Sequence, residues 1–83
     1  MELLYFAWVR ERIGSPSEHL DVPAEVTDVS ALLDWLATLS PGHAAALADR
    51  SAIRVAVDQD FVGYDAPIAG AREIAIFPPV TGG

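Results

Sequence analysis

Apolar and polar positions follow one another along the chain with two different periods, and the change of period divides it into strands and a helix. The first apolar run, Glu2 to Val9 (Glu-Leu-Leu-Tyr-Phe-Ala-Trp-Val), is nearly unbroken and rich in aromatics. That composition fits a central strand covered on both faces, although periodicity alone leaves a short buried helix open. Arg10, Glu11 and Arg12 close the run, and Gly14-Ser15-Pro16 marks a turn. Glu18 to Val22 alternates polar and apolar and stops at Pro23, as an edge strand does, so the first two strands form a hairpin. From Val29 the period lengthens. Val29, Leu32, Leu33, Leu36 and Leu39 fall at i, i+3, i+4, i+7 and i+10, the stripe of an amphipathic helix. Thr27 or Asp28 supplies its N-cap, Ser40-Pro41-Gly42 stops it, and Ala44 to Ala48 adds a short second turn. Ile53, Val55 and Val57 then alternate with Arg54 and Ala56, a strand with one buried face. Asp58-Gln59-Asp60 connects it tightly to Phe61 and Val62. Pro67 interrupts, Gly70 and Ala71 turn the chain, and Glu73 to Phe77 forms the last strand before Pro78 and Pro79, which cannot extend a ladder.

The order is strand, strand, helix, strand, short strand, strand. One main helix packed across one face of a mixed sheet buries these stripes most economically. The first and last strands, the most apolar pair, then lie side by side at the centre. This is an α+β architecture of the β-grasp (ubiquitin-like) type, with residues 1–77 as the folded domain and 78–83 as an extended tail.

Composition narrows what such a domain can do. With 83 residues and 52% apolar side chains, the chain is a single domain too apolar to be disordered. Twelve acids stand against five bases, a net charge of -7. That balance argues against nucleic acid, whose phosphates are bound by Lys and Arg, and against a polybasic membrane anchor. It suits a basic protein partner. No cysteine is present, which excludes disulfides, thiol nucleophiles and Cys-based zinc sites. All five bases are arginines, so no lysine can form a Schiff base. No apolar run reaches the ~18 residues of a membrane span, and Met1 leads into the first apolar run without a basic leader, so the expected location is the cytoplasm.

The polar residues offer little chemistry of their own. His19 and His43 stand far apart and read as solvated or locally bonded rather than as metal ligands. Ser40 and Ser51 have no base adjacent in sequence, and Asp58 and Asp60 read as turn formers. Trp35, beside the helical stripe, reads as core. The informative segment is Phe77-Pro78-Pro79-Val80-Thr81-Gly82-Gly83. Paired prolines hold the backbone extended and carry it away from the sheet. The six residues from Pro78 to Gly83 reach roughly 20 Å. Gly82 and Gly83 have no Cβ atoms and can thread a narrow channel. Phe61 follows a hairpin turn and Phe77 sits where sheet gives way to tail, both places for an interface aromatic. For Phe6, core and interface stand equal.

These segments resemble the MoaD family of ubiquitin-like sulfur carriers over essentially the whole length. The resemblance is carried by Phe6-Ala7-Trp8-Val9-Arg10-Glu11, by Val57-Asp58-Gln59 with Phe61-Val62, and most specifically by Phe77-Pro78-Pro79-Val80-Thr81-Gly82-Gly83. The chain departs from the family's usual Asp-Gly-Asp-like turn, having Gly70-Ala71-Arg72 there. The resemblance implies that Gly83 is adenylated by an adenylyltransferase similar to the ubiquitin-activating enzyme, using ATP, and is then converted to a thiocarboxylate. It implies threading of Pro78, Pro79, Val80, Thr81 and Gly82 into a partner, with Phe6, Phe61 and Phe77 as the docking patch. The implied partner is the large subunit of a molybdopterin synthase, in a heterotetramer of two small and two large subunits. There the sulfur passes to a cyclic pyranopterin monophosphate, with the catalytic groups on the large subunit and no cofactor held by this chain. Sulfur carriage for thiamine, cysteine or tRNA thiolation, or conjugation to protein lysines, are the alternatives that share the fold and the diglycine.

Overall fold

In a computed structural model that describes residues 1–79, the sheet has five strands. They are β1 (Glu2–Tyr5), β2 (Ser17–His19), β3 (Arg54–Val57), β4 (Asp60–Val62) and β5 (Glu73–Phe77), in the spatial order β2-β1-β5-β3-β4. β1 and β5 pair in parallel, with Leu3 opposite Ile74 and Tyr5 opposite Ile76. The other three pairings are antiparallel. The expected adjacency of the first and last strands is therefore present, and β5 is the central strand. Three helices pack on one face: α1 (Ala7–Ile13), α2 (Val29–Leu36) and α3 (Pro41–Ala46), followed by a single 3-10 turn at Arg50–Ala52.

The first apolar run is not one strand. It stays extended through Phe6 (φ -127°, ψ 153°), and Ala7 then takes φ 53° and starts α1. Val9 turns fully into the core, while Arg12 lies over the Trp8 ring, 4.5 Å from its centroid. Gly14, left-handed at φ 93°, closes α1 by donating its N–H to Arg10 O at 2.8 Å. Aromatic and β-branched residues favour strands only weakly, and the surface that α3 offers to α1 overrides that preference. β2 also sits earlier than expected, at Ser17–His19 rather than Glu18 to Val22.

The helical stripe is present, with Val29, Leu32, Leu33 and Leu36 all completely buried. Its N-cap is Asp28, whose carboxylate accepts from Ala31 N at 2.8 Å. α2 ends at Leu36, however, and Leu39 is 40% exposed instead of continuing the stripe. Ser40 does more than stop this helix. It caps α3 by accepting from His43 N at 3.1 Å, and Pro41 occupies the first position of α3, where a missing N–H costs nothing. α3 thus starts three residues before the expected turn at Ala44 to Ala48. Between β3 and β4, Asp58 (φ 48°) and Gln59 (φ 74°) both adopt left-handed backbone, the two-residue turn that matches the twist of a hairpin. Asp58 Oδ1 also accepts from Arg72 N and Glu73 N, both at 2.9 Å, which fastens that turn to the start of β5.

Candidate docking site

Strand alternation decides which side chains meet the helices. Leu3 and Tyr5 of β1, Val55 of β3, and Ile74 and Ile76 of β5 point into the core, each 1% exposed or less. The intervening residues therefore point to the other face, which carries no helix. The register sets Leu4 opposite Ala75, Ala75 opposite Ala56, and Ala56 opposite Phe61, one apolar row running across four strands. Phe61 is 80% exposed and Phe6 47% exposed. The rings of Phe61 and Phe77 stand 5.4 Å apart at a tilt of 43°. Phe6 joins them because Phe6 N donates to Ile76 O at 3.2 Å, bringing the end of β1 level with the end of β5. Three aromatics distant in sequence thus rim one shallow depression whose floor is Leu4, Ala56 and Ala75. Alanines at the centre keep the floor low, so the rings stand proud of it. Such a patch offers large area for few frozen torsions.

The patch borders the place where the chain leaves the sheet. β5 ends at Phe77, and a second cleft, between Arg54, Phe61, Val62, Phe77 and Pro79, runs beside it. Of the expected threading residues, Pro78 and Pro79 follow the sheet directly and belong to no strand. Val80, Thr81, Gly82 and Gly83 lie outside the described residues. Sequence reasoning missed Leu4, Ala56 and Ala75 as parts of the site, and it missed Arg54. The strand alternation held the signal for all four, but only the register brings them together.

On the helix side, a polar cluster corrects the reading that Ser40 has no base near it. His43, buried in α3, places Nδ1 2.7 Å from Ser40 Oγ and Nε2 2.6 Å from Glu18 Oε1 on β2. The Tyr5 hydroxyl donates to the same Glu18 oxygen at 2.8 Å. Burial, reinforced by the Glu18 carboxylate, holds the Tyr5 phenol far above its ordinary range, so it remains a donor. Ser40 Oγ is already engaged as the α3 cap and as a partner of the imidazole. Although serine, histidine and carboxylate follow one another, the arrangement serves as a staple that joins α3, β2 and β1. His19, by contrast, is exposed and lies 3.4 Å from Glu2. Trp35 packs against the core from a partly buried position.

The fold is a β-grasp body with an aromatic patch beside the end of β5, where Pro78 and Pro79 follow the sheet. Residues 3–83 match the ThiS family model, and the chain belongs to that family. It is 40% identical over 83 residues to the molybdopterin synthase sulfur carrier subunit of Escherichia coli, covering 100% of this chain and 99% of that one. It is 38% identical over 89 residues to the human protein of the same name, covering 100% and 93%. Among solved structures, SAMP1 from Haloferax volcanii superposes with a TM-score of 0.74 at 30% identity, covering 100% of this chain and 98% of that one.

Proposed function

We propose that this chain is the sulfur-carrying small subunit of a molybdopterin synthase, and that its reactive group is the carboxyl of Gly83. The observation that carries the reading is the gathering of Phe6, Phe61 and Phe77 around the exit of β5, in a chain similar over its whole length to sulfur carrier subunits. A body that docks through this patch sends Pro78 to Gly83 into its partner, within a reach of roughly 20 Å. In the first step a Gly83 carboxylate oxygen attacks the α-phosphorus of ATP on an adenylyltransferase and pyrophosphate leaves. Sulfide supplied by a sulfur donor then attacks the acyl carbon, AMP leaves as the acyl–oxygen bond breaks, and loss of the proton gives the thiocarboxylate. On the large subunit, that sulfur passes to the pterin precursor and the carboxylate is regenerated by water, so two loaded chains supply one dithiolene. This chain contributes the carrier carboxyl and the docking face, and the acid–base groups belong to its partners.

Intact-mass spectrometry after incubation with the activating enzyme, ATP and a sulfur donor tests the reading. The expected product is a chain in which one sulfur has replaced one oxygen at Gly83. A variant with one residue added after Gly83 is expected to fold normally and to take no sulfur. Sulfur loading and cofactor synthesis by that extended variant, with the added residue still in place, would overturn the assignment.

A further inference from the structure

The docking face is apolar at its centre but polarised along β5. Glu73 and its neighbour Glu2 stand at one end. Arg54, paired with Phe77, stands at the other, roughly 13 Å away over four residues of strand. Arg54 is exposed, and it lines the cleft with Phe61, Phe77 and Pro79. Its Nη1 donates to the carbonyls of Ser51 at 3.2 Å and Ile53 at 2.8 Å. Those bonds hold the guanidinium in place and use the Nη1 protons. The Nε and Nη2 protons, which form the other planar fork of the group, have no acceptor among the described residues, and Arg54 makes no ion pair there.

We propose that Arg54 anchors the docking face through this fork, and that the partner carries a carboxylate beside the mouth of the channel that receives the tail. The inference rests on the sulfur-carrier reading above. When an apolar partner surface covers Phe61 and Phe77, it strips water from the cleft that Arg54 lines beside them. A desolvated cation left without acceptors is costly, so a docked surface must supply them. Two parallel acceptors in one plane are what a carboxylate offers. Six tail residues have a reach of up to roughly 20 Å, long enough to deliver the reacting carbon well beyond Arg54, so the acceptors here fall to the partner's own side chains. With acids at the far end of β5, a partner that is acidic at the channel mouth and basic beyond it accepts the body in one orientation only, the one that aims the tail inward.

The test is calorimetric titration of the full chain into the large subunit, with Arg54→Ala, Arg54→Lys and Phe61→Ala measured beside the wild type. Arg54→Ala is expected to weaken binding by about tenfold or more, and Arg54→Lys to recover only part of that loss because an ammonium lacks the planar fork. Melting curves of both variants should overlay the wild type within a few degrees, which separates a docking role from a folding one. If Phe61→Ala loses binding while Arg54→Ala stays within twofold of the wild type, the anchor is refuted and the sulfur-carrier reading stands. Full recovery by Arg54→Lys refutes the carboxylate fork. If the wild-type chain forms no complex with the large subunit, the functional reading fails, and this inference fails with it.

Discussion

Gly42 is where sequence logic and structure predict opposite signs for one substitution. It follows Pro41 in the first turn of α3, with ordinary helical backbone. By propensity alone, Gly42→Ala stabilises a helix by up to about 1 kcal/mol. The structure reverses this. A Cβ built on Gly42 would lie 2.4 Å from the main-chain oxygen of Arg12, with Arg12 C and Ile13 Cα both at 3.5 Å. The obstacle is backbone in the last turn of α1, which the bond from Gly14 N to Arg10 O holds in place. No side chain can swing aside to relieve the overlap, so the two helices must move apart along their contact. Overpacking of this kind costs about 1–3 kcal/mol, which outweighs the gain in propensity. The expected net loss is about 1–2 kcal/mol, a fall in Tm of roughly 5–15 °C for a domain this small. Thermal melts and urea titration of wild type and Gly42→Ala measure it directly, with an unchanged m-value showing that the unfolded state has not shifted. A Tm equal to or above the wild type would refute the close approach of α1 and α3.

Phe61→Ala should leave stability within about 0.5 kcal/mol, because the side chain is 80% exposed, yet weaken large-subunit binding by about 30-fold or more. Denaturant melts and titration calorimetry check the two halves separately, and a large loss of stability would return Phe61 to the core. His43→Leu should cost about 1–3 kcal/mol in equilibrium unfolding, because Glu18 and Ser40 each lose a buried partner. Association with a large subunit should slow as salt shortens the Debye length to about 8 Å, since a chain of net charge -7 is steered toward a basic surface. A stopped-flow rate that ignores salt would leave that charge as a solubility device.

Much of this protein was legible in local periodicity. The stripe from Val29 to Leu36 and the alternation of Glu73 to Phe77 are short-range patterns that appear where their residues place them. The tight connection expected over Asp58-Gln59-Asp60 appears as a turn at Asp58 and Gln59, with Asp60 already in β4. The segment from Ala7 to Ile13 was not legible, because its residues suit a strand as well as a helix. The choice is made by α3, whose contact surface lies some thirty residues further along the chain. The same holds for Ser40 and His43, neighbours in sequence whose third partner, Glu18, arrives only when β2 folds beside β1. The docking face shows the division most clearly. Sequence alone marked Phe61 and Phe77 as interface aromatics and left Phe6 undecided. Pairing of β1, β5, β3 and β4 brings the three together, lays Leu4, Ala75 and Ala56 between them and sets Arg54 beside the tail. Which residues alternate is written in the strand itself, but which alternating residues become neighbours is decided by register, and register is a property of the whole sheet.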